Sequence, residues 1–554
     1  VRGHLRPDTS HIVSIIIVIV VPIACLVPFV GKAFHIDDTL YIWTAQHILA
    51  RPLDFFGFSA NWYGFEMPMW HLNKNPPLAS YYMALVGLVF GWSETALHIA
   101  FLIPAAGLSL GTYYLARRLC GRPQIAALVA VLSPVFLVSS SSVMTDTPMV
   151  ALFVWAAALW LKGLEEDSPF NLFASSLLIA CSALTKYFGM TLIPLLFVYS
   201  CARRRSLTGW VWFLLVPAAL LAGYELLTYH LYGAGLVASA VLYEGTKRTL
   251  DAHIIVERTI IGLSFTGGCL ASVAFFAPLL WARRWWAAAG VVVVILAAIA
   301  ILVNCFGEFC LMESESVRWG IAAQLAMFVA AGLHVLVLAC DDLSARRDAG
   351  ALLLFLWIVG TLVFTTFVNW TTNGRTILPL APAAAILVVR RLERVHELSE
   401  TSWKMLELCP LIPAAAAALI VTWADHSLAE CQRTAAREIT ADLKGYPHTV
   451  WFQGHWGFQH YMEAAGARSQ SIRRTELKRG ELVVVAVNNT NLDPPPESAA
   501  RVVAKKTLMP FPYVATMDPH LGAGFYSDLW GPLPFAVGRA SPEQYLLYVA
   551  DPRP

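Results

Sequence analysis

Five ionisable residues stand out because each lies at the edge of an apolar run: Asp37 and Asp38 in "HIDDTLYIW", Asp146 in "SSSSVMTDTPM", Lys186 in "LTKYFG" and Arg375 in "NWTTNGRTILPLAP". An ionised side chain close to lipid is costly unless it stays wet or paired, so such residues are functional candidates by default. Their chemistries are complementary. The stretch "DTLYIWTAQHILA" reads as a helix capped by Asp38 or Thr39, whose dipole would hold Asp37 ionised and fit for general-base work. Lys186 and Arg375 can bind an anion, Arg in a bidentate way, and stabilise charge on a departing phosphate. Each residue alone has a plain structural reading as a cap, a snorkelling helix-end lysine or a span anchor. Their common location favours a site.

The elements that must hold them are membrane helices. Of 554 residues, 57% are hydrophobic and 14% charged, against about 25% charged in ordinary soluble proteins. The chain therefore reads as a polytopic α-helical membrane protein, and a net charge of +2 gives no sign of a nucleic-acid partner. About thirteen spans are predicted: 12–30, 95–116, 123–140, 147–162, 170–185, 188–201, 209–230, 259–281, 286–303, 319–340, 350–369, 376–389 and 407–424. The first is longer than a signal-peptide core and lacks an A-x-A site, so it reads as a retained anchor with a cytoplasmic N-terminus.

Positive-inside logic sets the parity. The clusters "ARRLCGR", "CARRR", "WARRWW", "SARRD" and "RRLERVHE" all fall on the N-terminal side only if 75–92 does not cross. That segment is then a juxtamembrane helix within a large first outer loop, 31–94. Two short spans turning at "TKYFG" keep Lys186 out of the membrane centre. The membrane domain is 1–424. From 425 to 554 the chain turns polar, with short alternating runs and turn clusters, and reads as a small α/β domain on the outer face. Cys305 and Cys310 in "NCFGEFC" could pair if their loop meets an oxidising compartment.

The order of "DD" after the first span, "NPPLASYY" in the same loop, "MTDTP", "LTKYFG" and "NGRTILPLAPAAAIL" resembles the GT-C glycosyltransferases of family 39 and the ArnT-like enzymes, relatives of protein O-mannosyltransferases. The resemblance implies a sugar carried on a polyprenyl phosphate and moved with inversion to a lipid, glycan or protein acceptor at the outer face of a bacterial inner membrane. It puts Asp37 in the place of the catalytic aspartate and Asp38 in that of its usual acidic neighbour. Asp146, Lys186 and Arg375 match polar positions near the donor phosphate, as do Lys74 and Asn75, which stand where ArnT-like chains commonly carry Glu-Lys before two prolines. That departure argues against aminoarabinose specificity and against a metal held by that glutamate. His35 and His71 remain the candidates for a divalent ion, although their spacing supports no ligand set.

Two other classes stay open: a transporter, which would show internal repeats and midplane charges, and a non-catalytic envelope scaffold using the tail as its interaction module. The tail's "WFQGHWGFQHYMEAAG" suits either sugar stacking or the small domain's own core.

Overall fold

The computed structural model describes residues 9–204, 207, 209–246, 252–283, 290–291, 293–295, 298, 311–313, 316–397, 407–472 and 475–551. Among them, seven helices are long and apolar enough to cross a bilayer: His11–Phe29, Glu94–Leu119, Asp146–Glu165, Val211–Tyr232, Trp319–Arg346, Ala349–Val368 and Leu411–Asp442. Two bent pairs, Pro123–Val131 with Pro134–Ser140 and Ile254–Cys269 with Ala271–Leu280, bring the number to as many as nine. The first pair bends by 64°. Proline lacks an N–H and disfavours helical backbone in the residue before it, and Ser133 restarts the helix by accepting the Phe136 N–H.

Nine of the thirteen expected spans coincide with these crossings, three others take shorter or charged forms, and the fourth falls largely outside the described residues. Segments 170–185 and 188–201 form helices Pro169–Thr185 and Leu192–Arg204, of 17 and 13 residues. They rise only about 26 and 20 Å, against roughly 30 Å of hydrocarbon. Segment 376–389 becomes the short helix Gly374–Ile377 and the helix Leu380–Glu397. The second carries Arg390, Arg391 and Arg394, which pair with Asp341 and Asp342 at the end of Trp319–Arg346. Segment 286–303 lies largely outside the described residues, and Cys305 and Cys310 lie wholly outside them.

Within 31–94 the chain forms a helix, Asp38–Ala50, a hairpin pairing Ser59–Asn61 with Glu66–Pro68, and a helix, Leu78–Phe90. The last has 13 residues and exposes Leu85, Leu88, Val89 and Phe90. It is too short to cross and greasy on its outer side, as a helix lying at a membrane surface would be.

The Leu411–Asp442 helix runs through residue 425 into a five-stranded mixed sheet, in the order Arg468–Ser469, Val450–Gln453, Leu482–Ala486, Glu543–Ala550, Ala500–Leu508. The first three strands are parallel and the last two join antiparallel. The tail's aromatic stretch supplies part of this core, where Phe452, Phe458 and Met462 pack with Val484 and Tyr545. The sheet domain and first loop interlock: Gln459 donates to the Asn61 carbonyl at 2.7 Å and the Ile472 N–H donates to the Gly64 carbonyl at 2.8 Å.

Candidate active site

The chain reaches Asp37 through Ile36, whose φ of 48° is a left-handed backbone that a β-branched residue rarely adopts. The turn is clamped by Asp38. Its Oδ2 accepts the His35 N–H at 2.9 Å and its Oδ1 accepts the Val143 N–H at 3.0 Å. Both oxygens of this buried carboxylate are thereby committed to backbone, and burial pushes its pKa up to about 7 against those N–H groups and Lys32. The expected capping is not found. Asp38 folds back onto His35, Thr39 Oγ1 donates to the Trp456 carbonyl at 3.2 Å, and no side chain caps the Asp38–Ala50 helix. Asp37 occupies the cap position with its carboxylate turned to Arg375, where Nη1 and Oδ2 are 3.0 Å apart.

Arg375 is placed by local chemistry in "NGRT". The Asn373 side chain accepts the Thr376 N–H at 3.0 Å and so caps the Gly374–Ile377 turn. Gly374 donates its N–H to the Phe525 carbonyl at 2.6 Å, and a Cβ there would lie 2.6 Å from the Phe525 ring. Only glycine lets the tail close onto this turn. That closure sets the next residue, Tyr526, with its ring 5.6 Å from the Arg375 guanidinium, within cation–π range. Burial works against the Arg375 charge, but Asp37 and Asp146 outweigh it and raise the pKa above the usual arginine value.

Asp146 opens the helix Asp146–Glu165 and pairs with Lys186 at 2.5 Å. Lys186 sits between the helix Pro169–Thr185 and the 3-10 turn Tyr187–Thr191, the turn expected at "TKYFG". The second oxygen of Asp146 is buried without a hydrogen-bond partner. Asn75 joins the cluster through Tyr41, whose hydroxyl accepts from its Nδ2 at 2.9 Å. Burial, then Asp37, raises the pKa of that phenol, which is one helical turn beyond Asp37. Lys74 stands apart, its Nζ 5.2 Å from the Tyr243 ring, and burial lowers its pKa. His35 is fully buried and His71 is exposed. Among the described residues no three His, Cys, Asp or Glu side chains converge as a metal site would require.

A second ion cluster, not picked out by the sequence reading, backs the first. Lys32 Nζ lies 2.5 Å from Asp425 Oδ2, both side chains wholly buried. Asp425 also accepts from the Tyr526 hydroxyl at 2.9 Å and from Thr516 Oγ1 at 3.0 Å. A signal existed: Asp425 is a lone acid in the apolar run "IVTWADHSL" and Lys32 immediately follows the first span. Tyr526 gave none, because the contacts that place it in the cluster, with Arg375, Asp425 and His35, are remote in sequence.

The geometry thus offers two acid–cation pairs side by side, Asp37–Arg375 and Asp146–Lys186, with the buried Lys32–Asp425 pair behind them. An arriving anion can take over the cations, and a carboxylate released from Arg375 can accept a proton.

Residues 74–227 match the family model described as dolichyl-phosphate-mannose-protein mannosyltransferase. The matched segment contains Lys74, Asn75, Asp146 and Lys186, and the match bears out the glycosyltransferase resemblance. Among solved structures, the chain is similar to the Archaeoglobus fulgidus oligosaccharyltransferase tethered with an acceptor peptide, at 13% identity and TM-score 0.49, over 84% of this chain and 64% of that one. It therefore spans less than two thirds of that enzyme's length. It is also similar to ArnT from Cupriavidus metallidurans bound to undecaprenyl phosphate, at 12% identity and TM-score 0.45 over 87% and 94% of the two chains. For the apo form of that ArnT the figures are 14%, 0.42, 87% and 93%. No curated protein matches the chain.

Proposed function

We propose that this chain is a membrane glycosyltransferase that moves a sugar from a polyprenyl phosphate to an acceptor at the outer face of a bacterial inner membrane, with inversion at the anomeric carbon. The reading rests on one observation above all. Asp37 and Arg375, 338 positions apart, meet at 3.0 Å, and the Asp146–Lys186 pair is close enough for Asp146 to act on Arg375.

The steps follow from charge. The donor phosphodiester, which like a carboxylate carries one negative charge on two unbridged oxygens, competes with Asp37 for Arg375 and with Asp146 for Lys186, and the cations hold it more strongly as it departs as a monoester with a second charge. Asp37, no longer paired, accepts the proton of the acceptor's nucleophilic group. That group's oxygen or nitrogen bonds to the anomeric carbon as the bond from that carbon to the phosphate oxygen breaks. The electron pair leaves with the polyprenyl phosphate, whose added charge Arg375 and Lys186 stabilise. Asp38 acts at one remove, positioning Asp37 by holding the 35–38 turn and the 143 loop together. Asn75 and Tyr41 line the acid side of the same cluster.

Purified protein in proteoliposomes, supplied with a panel of undecaprenyl-phosphate sugars and envelope lipid, glycan and peptide acceptors, tests the reading. Transfer with inverted product configuration, followed by NMR of the anomeric proton, is the expected result. Retention of configuration, or transfer that does not depend on the polyprenyl-linked donor, would overturn it.

A further inference from the structure

The Tyr526 ring that faces Arg375 also meets His35 edge-on, their centroids 5.4 Å apart, and His35 lines a cavity of about 400 Å³. That size lies within the range of small-molecule sites, roughly 300–1,000 Å³. Its walls come from the Leu411–Asp442 helix and the sheet domain. They include Gln432, Trp456, Asn488, Trp530 and Glu543.

His35 is fully buried, the Gln432 side chain lies within hydrogen-bonding reach of its ring, and the ring nitrogens have no other polar partner. Burial lowers its pKa to about 4. At neutral pH the imidazole therefore presents one N–H donor and one lone-pair acceptor. Gln432 can serve one ring nitrogen only, and buried polar groups in native proteins are almost always satisfied, so the other nitrogen leaves room for an occupant. A hydroxyl, donor and acceptor at once, matches.

The backbone carries a second, independent sign. Trp456, on the cavity wall, has φ of 64°, a genuine outlier for so bulky a residue. Strain of this kind persists where surrounding contacts impose it, and it clusters at functional sites. Here Thr39 Oγ1 donates to the Trp456 carbonyl, and Gly457 lies so close to the Phe34 carbonyl that a Cβ would sit 1.9 Å from that oxygen. The strained turn is thus fastened to the segment that carries Asp37.

Charge narrows the ligand. Asp518 and Glu543 line the cavity, and among the described residues its lining includes no Lys or Arg. A phosphate is disfavoured there, and so is any other anion. Two indoles, three amides, two carboxylates and two imidazoles form a lining suited to an uncharged ring with an apolar face and hydroxyls at its edge.

We propose that this cavity is a saccharide-binding subsite, with Trp456 and Trp530 against the sugar's apolar face and His35, Asn488 and Glu543 on its hydroxyls. It rests on the function proposed above only for which substrate brings the sugar, the acceptor glycan or the donor.

Saturation-transfer NMR on the full chain in detergent, with methyl glycosides of mannose, glucose, galactose, arabinose and N-acetylglucosamine, reads the binding without turnover. We expect saturation of at least one glycoside by the wild type. In Trp530→Ala and His35→Gln the Kd should rise at least tenfold, with the melting temperature unchanged for Trp530→Ala. Trp530 is only partly buried, so that variant carries the test if His35→Gln fails to fold. No glycoside bound by the wild type, or equal binding by Trp530→Ala, overturns the proposal. Glycoside binding by a wild type that transfers no sugar would refute the proposed function and leave the subsite standing. In proteoliposomes, Trp530→Ala raises the acceptor KM alone if the sugar belongs to the acceptor and the donor KM if it belongs to the donor.

Discussion

Arg375 can serve Asp37 or a phosphate fully, but not both, and this competition gives the site its residue-level logic. A charge-assisted hydrogen bond contributes about 1.5–3 kcal/mol, and lysine does not reproduce a guanidinium fork. Arg375→Lys should therefore weaken undecaprenyl-phosphate binding about 10- to 100-fold in a fluorescence titration, whereas unchanged affinity would remove Arg375 from the phosphate site. The residues brought together here were legible one by one in the sequence, as charges at the ends of apolar runs. Their roles were less so. Asp37 and Asp38 look alike in "HIDDT", yet one faces a cation and the other is consumed by two backbone N–H groups. That distinction depends on a loop more than 100 residues away.

At the scale of elements, the Leu411–Asp442 helix is tied to the first span's exit by the buried Lys32–Asp425 pair. Breaking a buried pair by removing one partner costs about 3–5 kcal/mol, while replacing both with apolar groups can be nearly neutral. Lys32→Met should lower the melting temperature clearly, and Lys32→Met with Asp425→Leu should recover part of the loss. In the sheet domain, burial pushes Glu543 up to about 7 from a usual value near 4.5. A group whose folded pKa is raised contributes stability that is full below its unfolded pKa and lost as pH rises through the folded one. Melting temperature should fall between about pH 4.5 and 7 in the wild type, and Glu543→Gln should flatten that part of the profile. Helix existence was largely readable from apolar length. The bends were not, because they depend on how Ser133 and the proline after it meet neighbouring helices.

For the whole molecule, the sheet domain packs against the candidate site and is not an appendage. Phe525 closes on Gly374, and Tyr526 joins Arg375 to Asp425. The sequence marked a polar α/β tail but carried no pattern that tied it to a turn 150 residues earlier. With Cys305, Cys310, Cys340 and Cys409 replaced by Ser, a cysteine introduced at Tyr63 or Arg501 should react with a membrane-impermeant maleimide on intact cells, and one at Arg347 should not. Labelling of all three, or of Arg347 alone, would contradict the proposed sidedness.

In the proposed reaction, Asp37 takes the acceptor's proton. Sugar transfer by Asp37→Asn in proteoliposomes, alongside its affinity for undecaprenyl phosphate, measures this directly. Transfer should fall by roughly two to four orders of magnitude, the usual worth of a general base, with phosphate affinity kept or increased because Arg375 has lost its competitor. Transfer within a few-fold of the wild type would contradict it.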